Sequence, residues 1–595
     1  MPAGLLILYT AEAPNVWKVS HLSELVVEDA AQGYVEMLSR LGVDYVFSSP
    51  GSEFIPMWEH LARINAEGRR PTYLNVRHEG AALSMAKGYY MASGRAQVVL
   101  THVLTGLLHG AMELKAAYTD QVPLLLMVGQ NRTHDGEEYG GTPGPHYLSF
   151  TEVGGQERLV PYVKWGDSPE TNANILGVIQ RAYEIASSPV KGPVLLNVSR
   201  ELLFERVKKM RLPPEYREPA PVTADPATLE RIRDMLAGAC SPMVYTRYLG
   251  RNRGAVAELV RLAELVGAPV FEMPGYANFP TDNALHMGTG MGPYLAEADL
   301  VLVIDGSAWP PWYPPGSIRK NSEARVVFID PDPLQVKYPV YGYPAELLVQ
   351  ADSAVAVPQI TGLLLKERLD DAAVQTRRER WAAEHTRIRR ELTAKALAAK
   401  DASPIDPLWL CHCINQAIDA DTVIVHETIT HGGPIHQIVE RERVAPGTRY
   451  EATGPVAHTG LGQGLGVALG VKLTEPGKTV VALVGDGTFN YNPVLAAFGA
   501  AQEHGVPFMT VVFNNGCYAA MKGHARYYPE GHSVKHNQYF GVSCGPSPDY
   551  AKVVEAFGGY GERVEDPSEV RPALTRAMRA VRGGAPSLLD MVLRA

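Results

Sequence analysis

The sequence predicts an α/β chain of three doubly wound parallel-sheet domains. Short β-rich apolar runs alternate with helical stretches of about 10–15 residues, as in parallel sheets joined by crossover helices. This alternation falls into three blocks, and the first and third have similar layouts. A length of 595 residues is also what roughly three to four domains of about 150 residues each require.

The first block is placed at 28–205. Its strands are VDYVF (43–47), YLNV (73–76), QVVLT (97–101), PLLLMVG (123–129) and the run within KGPVLLNVSRE (191–201). A Pro-rich charged stretch, LPPEYREPAPVTADP, reads as a linker. The second block, 225–366, contributes PMVYT, APVFEMP, DLVLVIDG and ARVVFIDPDP as strands. Residues 367–402 form a charged helix or helix pair whose i,i+4 charges read as a solvated face. The third block runs from 403 to 595.

Composition narrows the function. Hydrophobic residues make up 46% and charged residues 20%, as in ordinary globular proteins. A net charge of −9 gives no electrostatic support for a nucleic-acid partner. Five cysteines form no disulfide framework and fit a reducing cytoplasm. The N-terminal GLLILY run is too short for a signal core or a membrane span, so a soluble cytoplasmic protein is expected.

The chemistry concentrates in ALVGDGTFN (482–490), where an apolar strand ends by setting Asp486 between Gly485 and Gly487, with Thr488 following. A buried lone carboxylate costs several kcal/mol unless a cation or donor meets it. Asn492-Pro493 reads as a helix start, with Asn as N-cap, and Val494, Leu495, Phe498 and Ala501 share the helix's apolar face. A second strand, PFMTVVF, then ends at Asn514-Asn515. In one βαβ unit Asp486 and Asn515 can meet. With a backbone carbonyl from the turn GCY they offer hard oxygen ligands for Mg²⁺, completed by phosphate oxygens.

GDG followed by NN across strand–helix–strand resembles the thiamine diphosphate signature of the pyruvate decarboxylase and acetolactate synthase superfamily, and the motifs are closest to benzoylformate decarboxylase. The resemblance implies a pyrimidine-binding first domain, a Rossmann-like central domain and a third domain that binds diphosphate and Mg²⁺. It places the metal ligands on Asp486, Asn515 and the carbonyl of Cys517. It places the activating carboxyl on Glu79 in NVRHEGAA. In GLGQGLGVALG (460–470), Leu461 takes the place of the apolar residue beneath the thiazolium. HETITHG (426–432) resembles the family's diphosphate-binding segment, which makes Thr428 and Thr430 candidate diphosphate ligands and sets Ile429 against the pyrimidine.

FSSPGSEFIP and THVLTGLLHGAM resemble that family's loops for a substrate-carboxylate serine and a first catalytic histidine, and the resemblance places these roles on Ser52 and His102. A histidine near neutral pKa can protonate or deprotonate a reacting group. The family's second catalytic histidine would fall near FPTDNALH, where Asn283 aligns and His286 is the nearest histidine. The basic, aromatic segment AAMKGHARYYPEGHSVKHNQYFG suits an anionic substrate or a solvated loop. WPPWYPPG (309–316) lines a pocket or packs a domain joint, and CHC (411–413) does not read as a metal site.

The resemblance implies decarboxylation of a 2-oxo acid, with the aldehyde-level enamine released or ligated, by a homodimer or homotetramer with active sites between subunits. No FAD is expected. Three alternatives stand beside this reading: an acetolactate synthase-like carboligase, a 2-hydroxyacyl lyase, and a catalytically silent regulatory homologue.

Overall fold

The computed structural model describes residues 23–49, 51–130, 161–273, 275–306, 323–336, 345–439, 447–452, 460–523 and 527–594. The GLLILY run, WPPWYPPG, His524 and Arg526 lie outside them.

Three parallel sheets follow one another along the chain. The first is formed by β1 (Tyr45–Ser48), β2 (Thr72–Asn75), β3 (Gln97–Thr101), β4 (Leu124–Gln130), β5 (Trp165–Asp167) and β6 (Val194–Ser199), in the order β2-β1-β3-β4-β6-β5. The second contains β7 (Pro242–Thr246), β8 (Val270–Glu272), β9 (Leu300–Ile304), β10 (Arg325–Asp330) and β11 (Leu347–Gln350), ordered β8-β7-β9-β10-β11. The third is built from β12 (Thr422–Glu427), β13 (Arg449–Glu451), β14 (Thr479–Gly485), β15 (Met509–Asn514), β16 (Tyr560–Val564) and β17 (Ser587–Val592), ordered β13-β12-β14-β15-β17-β16. The first and third sheets therefore share one topology. A short antiparallel pair, Glu24–Val26 with Lys209–Arg211, ties the start of the first unit to its end.

Strands such as QVVLT and TVVALVG are buried on both faces, which is why they read as continuous apolar runs. One hydrophobic core is shared by the first and third sheets, joining Val99 and Leu126 to Val425 and Val484. Two helices pass between them: Glu79–Ser93 and the glycine-rich Gly464–Thr474. Their backbones come very close. A Cβ on Gly470 would lie 2.0 Å from the Met85 carbonyl oxygen, and one on Gly88 would lie 2.2 Å from that of Val467. Glycine is the residue that allows such an approach.

The charged segment is a single 28-residue helix, Asp371–Ala398, capped by Asp370. One side is anchored to the second sheet's unit, because Trp381 is buried against Phe271 and Tyr294 and Arg377 donates to the Val266 carbonyl. Among the described residues no helix is long and apolar enough to cross a membrane.

The tight crossing has a direct test. Gly470→Ala forces two backbones apart and is expected to cost about 2–3 kcal/mol. Gly177→Ala, in a helix with nothing within 4 Å of the new Cβ, is expected to be neutral or to stabilise by about 0.5–1 kcal/mol. Thermal melts of the two variants against wild type check both signs.

Candidate active site

In sheets of this order ligands bind at the switch point, outside the carboxyl ends of the two strands from which the chain departs in opposite directions. In the third sheet these are β12 and β14. β12 ends at Glu427 and leads into Thr428, while β14 ends at Gly485 and leads into Asp486. The HETIT and GDG motifs thus meet in one crevice. Thr488 Oγ1 lies 2.8 Å from the Glu427 carbonyl oxygen and closes the contact.

Asp486 opens a short helix, Asp486–Tyr491, and is buried. Burial pushes its carboxyl up to about 6, against the pull of the Gly487 and Gly516 backbone N–H groups. Its Oδ2 has no hydrogen-bond partner. On the other side of β14, β15 delivers Asn514 and the buried Asn515, whose Oδ1 accepts from the Cys517 N–H at 3.1 Å. The turn needs Gly516 at φ +65°, a region open to glycine. The Tyr518 ring fills the space where a Cβ on Gly487 would stand. The Gly516 N–H acts on Asp486, so the turn carrying Asn515 and Cys517 stands by the orphaned, buried carboxylate oxygen, and carboxylate, amide and main-chain oxygens are donor types that fit a small hard cation.

Two corrections apply here. Asn492 does not cap the following helix. That helix is Val494–Glu503 and has no side-chain cap. Asn492 turns inward instead, donating to Glu427 Oε2 (2.8 Å) and accepting from the Leu465 N–H. Leu495, expected on the apolar face, is exposed. The buried face is carried by Ala497, Phe498, Ala500 and Ala501.

Glu427 was not anticipated. Its carboxylate accepts the N–H groups of Gly462, Gln463 and Gly464 at 2.8–2.9 Å, besides Asn492. It thereby fixes the start of the glycine-rich helix and the half-buried Leu461 just before it. Thr428 is buried, with Oγ1 2.9 Å from His426 Nε2, whereas Ile429 and Thr430 are exposed.

The first sheet repeats the arrangement between β1 and β3. Ser52, exposed, and Glu53, buried, follow β1 in a short 3₁₀ turn, and His102 follows β3. His102 Nδ1 lies 2.8 Å from Glu53 Oε2, so a buried carboxylate orients the imidazole. Sequence reasoning singled out Ser52 and passed over its neighbour. The signal was the carboxylate in PGSEF, 49 positions from His102.

Glu79 is the first residue of its helix, whose N-cap is His78 through Nδ1. Glu79 Oε2 lies 2.7 Å from His109 Nδ1. Gly106 stands between the two catalytic candidates: a Cβ there would be 3.1 Å from Glu79 Oε1 and 3.4 Å from His102 Cβ. Glu79, His102, Glu53 and His109 thus form one neighbourhood, and Asp486, Thr488, Asn515, Cys517 and Thr428 another. His286 joins neither, being buried in the central unit with Nε2 3.2 Å from Glu272, and Asn283 donates to Glu264 at the surface.

This geometry defines an α/β protein with one crevice suited to a metal-held phosphate at the third sheet and a second, holding a carboxylate–histidine pair, at the first. The family comparisons agree. Residues 28–149 match the thiamine pyrophosphate enzyme N-terminal TPP-binding domain, and residues 436–591 match the C-terminal TPP-binding domain. The chain belongs to the thiamine pyrophosphate enzymes. It is 24% identical over 562 residues to the acetolactate synthase large subunit of Haemophilus influenzae, covering 92% of this chain and 91% of that one. It is 25% identical over 514 residues to benzoylformate decarboxylase of Pseudomonas aeruginosa, covering 82% and 86%. The crystal structure of benzoylformate decarboxylase from Polynucleobacter necessarius superposes with a TM-score of 0.75 at 19% identity, over 96% and 99% of the chains, which establishes the shared fold.

Glu113, next to this site, sets a pH test. It packs over Gly80, its Oε2 is buried without a partner, and burial pushes its carboxyl up to about 7. A carboxyl raised in the fold stabilises while protonated, and that stability is lost as pH rises from about 4.5 to about 7. Glu113→Gln is therefore expected to gain about 2–3 kcal/mol relative to wild type at pH 8 and little at pH 4.5. Urea unfolding at the two pH values measures the difference.

Proposed function

We propose that the chain uses thiamine diphosphate with Mg²⁺ to decarboxylate a 2-oxo acid and to release or ligate the aldehyde unit that remains. The orphaned Oδ2 of Asp486 at the third sheet's switch point, with the Asn515–Cys517 turn tied to Asp486 through Gly516, carries the reading. Asp486, Asn515 and the Cys517 main-chain oxygen would hold the metal. Thr428, Thr430, Gly485, Gly487 and Thr488 would receive the diphosphate, Ile429 would touch the pyrimidine, and Leu461 would lie beneath the thiazolium. When bound, the cofactor supplies an electron sink for carbanion chemistry.

Glu79 holds a proton for the cofactor's aminopyrimidine, and its present partner is His109. Ser52, exposed at the first sheet's crevice, receives the substrate carboxylate. His102, held by Glu53, gives or takes the proton at the substrate carbon or oxygen. Large exposed apolar side chains close to these residues in sequence, namely Ile55, Leu108, Ile429, Tyr491 and Leu495, support a homodimer or homotetramer in which a second copy covers the site. The sparse free cysteines support a reducing, cytoplasmic setting.

Carboligation of the acetolactate synthase kind is a second reading. It is supported by the Haemophilus influenzae relative and by Asn283, which stands at the surface where a second catalytic histidine was sought. Incubation with pyruvate and with benzoylformate separates the two: acetolactate or acetoin marks ligation, and free aldehyde marks simple decarboxylation. Glu79→Gln is expected to retain thiamine diphosphate by calorimetry while losing at least about 100-fold in turnover. Asp486→Ala is expected to lose calorimetric uptake. Wild-type turnover in Glu79→Gln, or undiminished uptake in Asp486→Ala, removes the assignment.

A further inference from the structure

A cluster apart from the Asp486 clamp lies at the edge of the third sheet. His426 is the penultimate residue of β12 and Glu451 the last of β13, and they are register partners in the parallel ladder. Their side chains therefore leave the same face of the sheet. His436, from the helix Gly432–Ile438, comes down on them, with its ring 4.6 Å from that of His426 at 64°. Each of the three residues offers a ligand atom within 4.8 Å of the other two, and His426 Nδ1 is 3.8 Å from Glu451 Oε1.

All three side chains are more than nine-tenths buried, at 1%, 7% and 8% exposure. His426 Nδ1, His436 Nδ1 and Glu451 Oε2 have no hydrogen-bond partner. Buried polar atoms are nearly always paired, and this one cluster holds three that are not. Burial keeps both imidazoles neutral, which is the ligating form, with His426 pushed down to about 3. Three cations stand around the cluster and act on Glu451: Arg449, also paired with Glu272, Lys87, also paired with Asp120, and Arg247, 3.9 Å from Asp120.

We infer that His426, His436 and Glu451 bind a borderline divalent transition metal of the Zn²⁺ class, at a site distinct from the Mg²⁺–diphosphate clamp. Two imidazoles and one carboxylate are nitrogen-rich for Mg²⁺ and match a three-ligand zinc site with a fourth position for water. Tetrahedral ligation requires ligand atoms about 3.3 Å apart, so the cluster contracts by about 0.5 Å across the His426–Glu451 pair. Metal on Nδ1 leaves the proton on Nε2, which then donates to Thr428 Oγ1, 2.9 Å away. The metal would act as a positioning element for the first residue beyond β12, where the crevice begins.

The test uses the full chain, stripped with a chelator and titrated with Co²⁺. The expected result is one cobalt per chain with visible absorption of a low-coordinate nitrogen–oxygen site, displaced by Zn²⁺. His436→Gln and Glu451→Gln should each lose the band. Asp486→Ala and His109→Gln should keep it, which separates this site from the clamp and from the half-exposed His78–Glu79–His109 group. Circular dichroism verifies folding. If the two Gln variants do not fold, X-ray absorption of the zinc-loaded wild type decides, with two imidazoles and an oxygen expected. No band at millimolar cobalt, a band surviving both Gln variants, or an all-oxygen or single-imidazole shell overturns the site.

Discussion

The fully buried carboxylate of Glu427 is the interaction on which the rest of the site depends. Taking such a group out of water costs several kcal/mol unless donors surround it. Here four do, at 2.8–2.9 Å. Three are consecutive N–H groups around the first turn of the glycine-rich helix, which would otherwise lack partners inside the helix. The fourth is the Asn492 amide, just after the GDG helix. One side chain from β12 thereby locks three separate stretches of chain together. The positions of Thr428, Leu461 and Asp486 are consequences of that lock.

Asp486 makes the opposite use of the same crevice. It is buried beside Glu427's strand, yet one of its oxygens is left without a donor. A buried carboxylate whose bonds are filled by the protein is part of the framework, while one left open is held ready for a ligand. Glu53 is a third case, its charge aimed at one histidine. The three acids sit at equivalent places, just beyond or at the ends of central strands, and they differ in which partners the chain supplies.

Much of this was legible in the sequence where burial is complete. The central strands read as apolar runs because both of their faces are covered. β5, β11, β13 and β16 were not anticipated, and all four are edge strands. RYE and YGERV carry too little apolar sequence to read as strands alone, and their neighbours in the sheet supply the pairing. The misreading of Asn492 has a related cause. Asn before Pro is a sound local cap signal, but Glu427, 65 positions upstream, offers a stronger bond in a buried place. Glu53 and His102 were likewise separated by chain that only the sheet brings together. Local rules recovered elements and motif positions. Partners chosen by topology had to come from the fold.

The repeated strand order makes the division of labour between the two outer sheets intelligible. Each sheet opens a crevice at its switch point, so the fold provides two sites of one geometry without specifying either chemistry. At the third sheet a strand ends in glycine-flanked aspartate, with an oxygen-rich turn opposite. At the first sheet the corresponding strand ends in a histidine held by a glutamate. Between the two sheets the Glu79 helix crosses the glycine-rich helix, where Gly88 and Gly470 meet backbone and Gly466 meets the Ser84 Cβ. Any side chain larger than hydrogen there would push the first and third sheets of the chain apart. The glycines of GLGQGLGVALG therefore set how closely the two outer sheets of the chain pack.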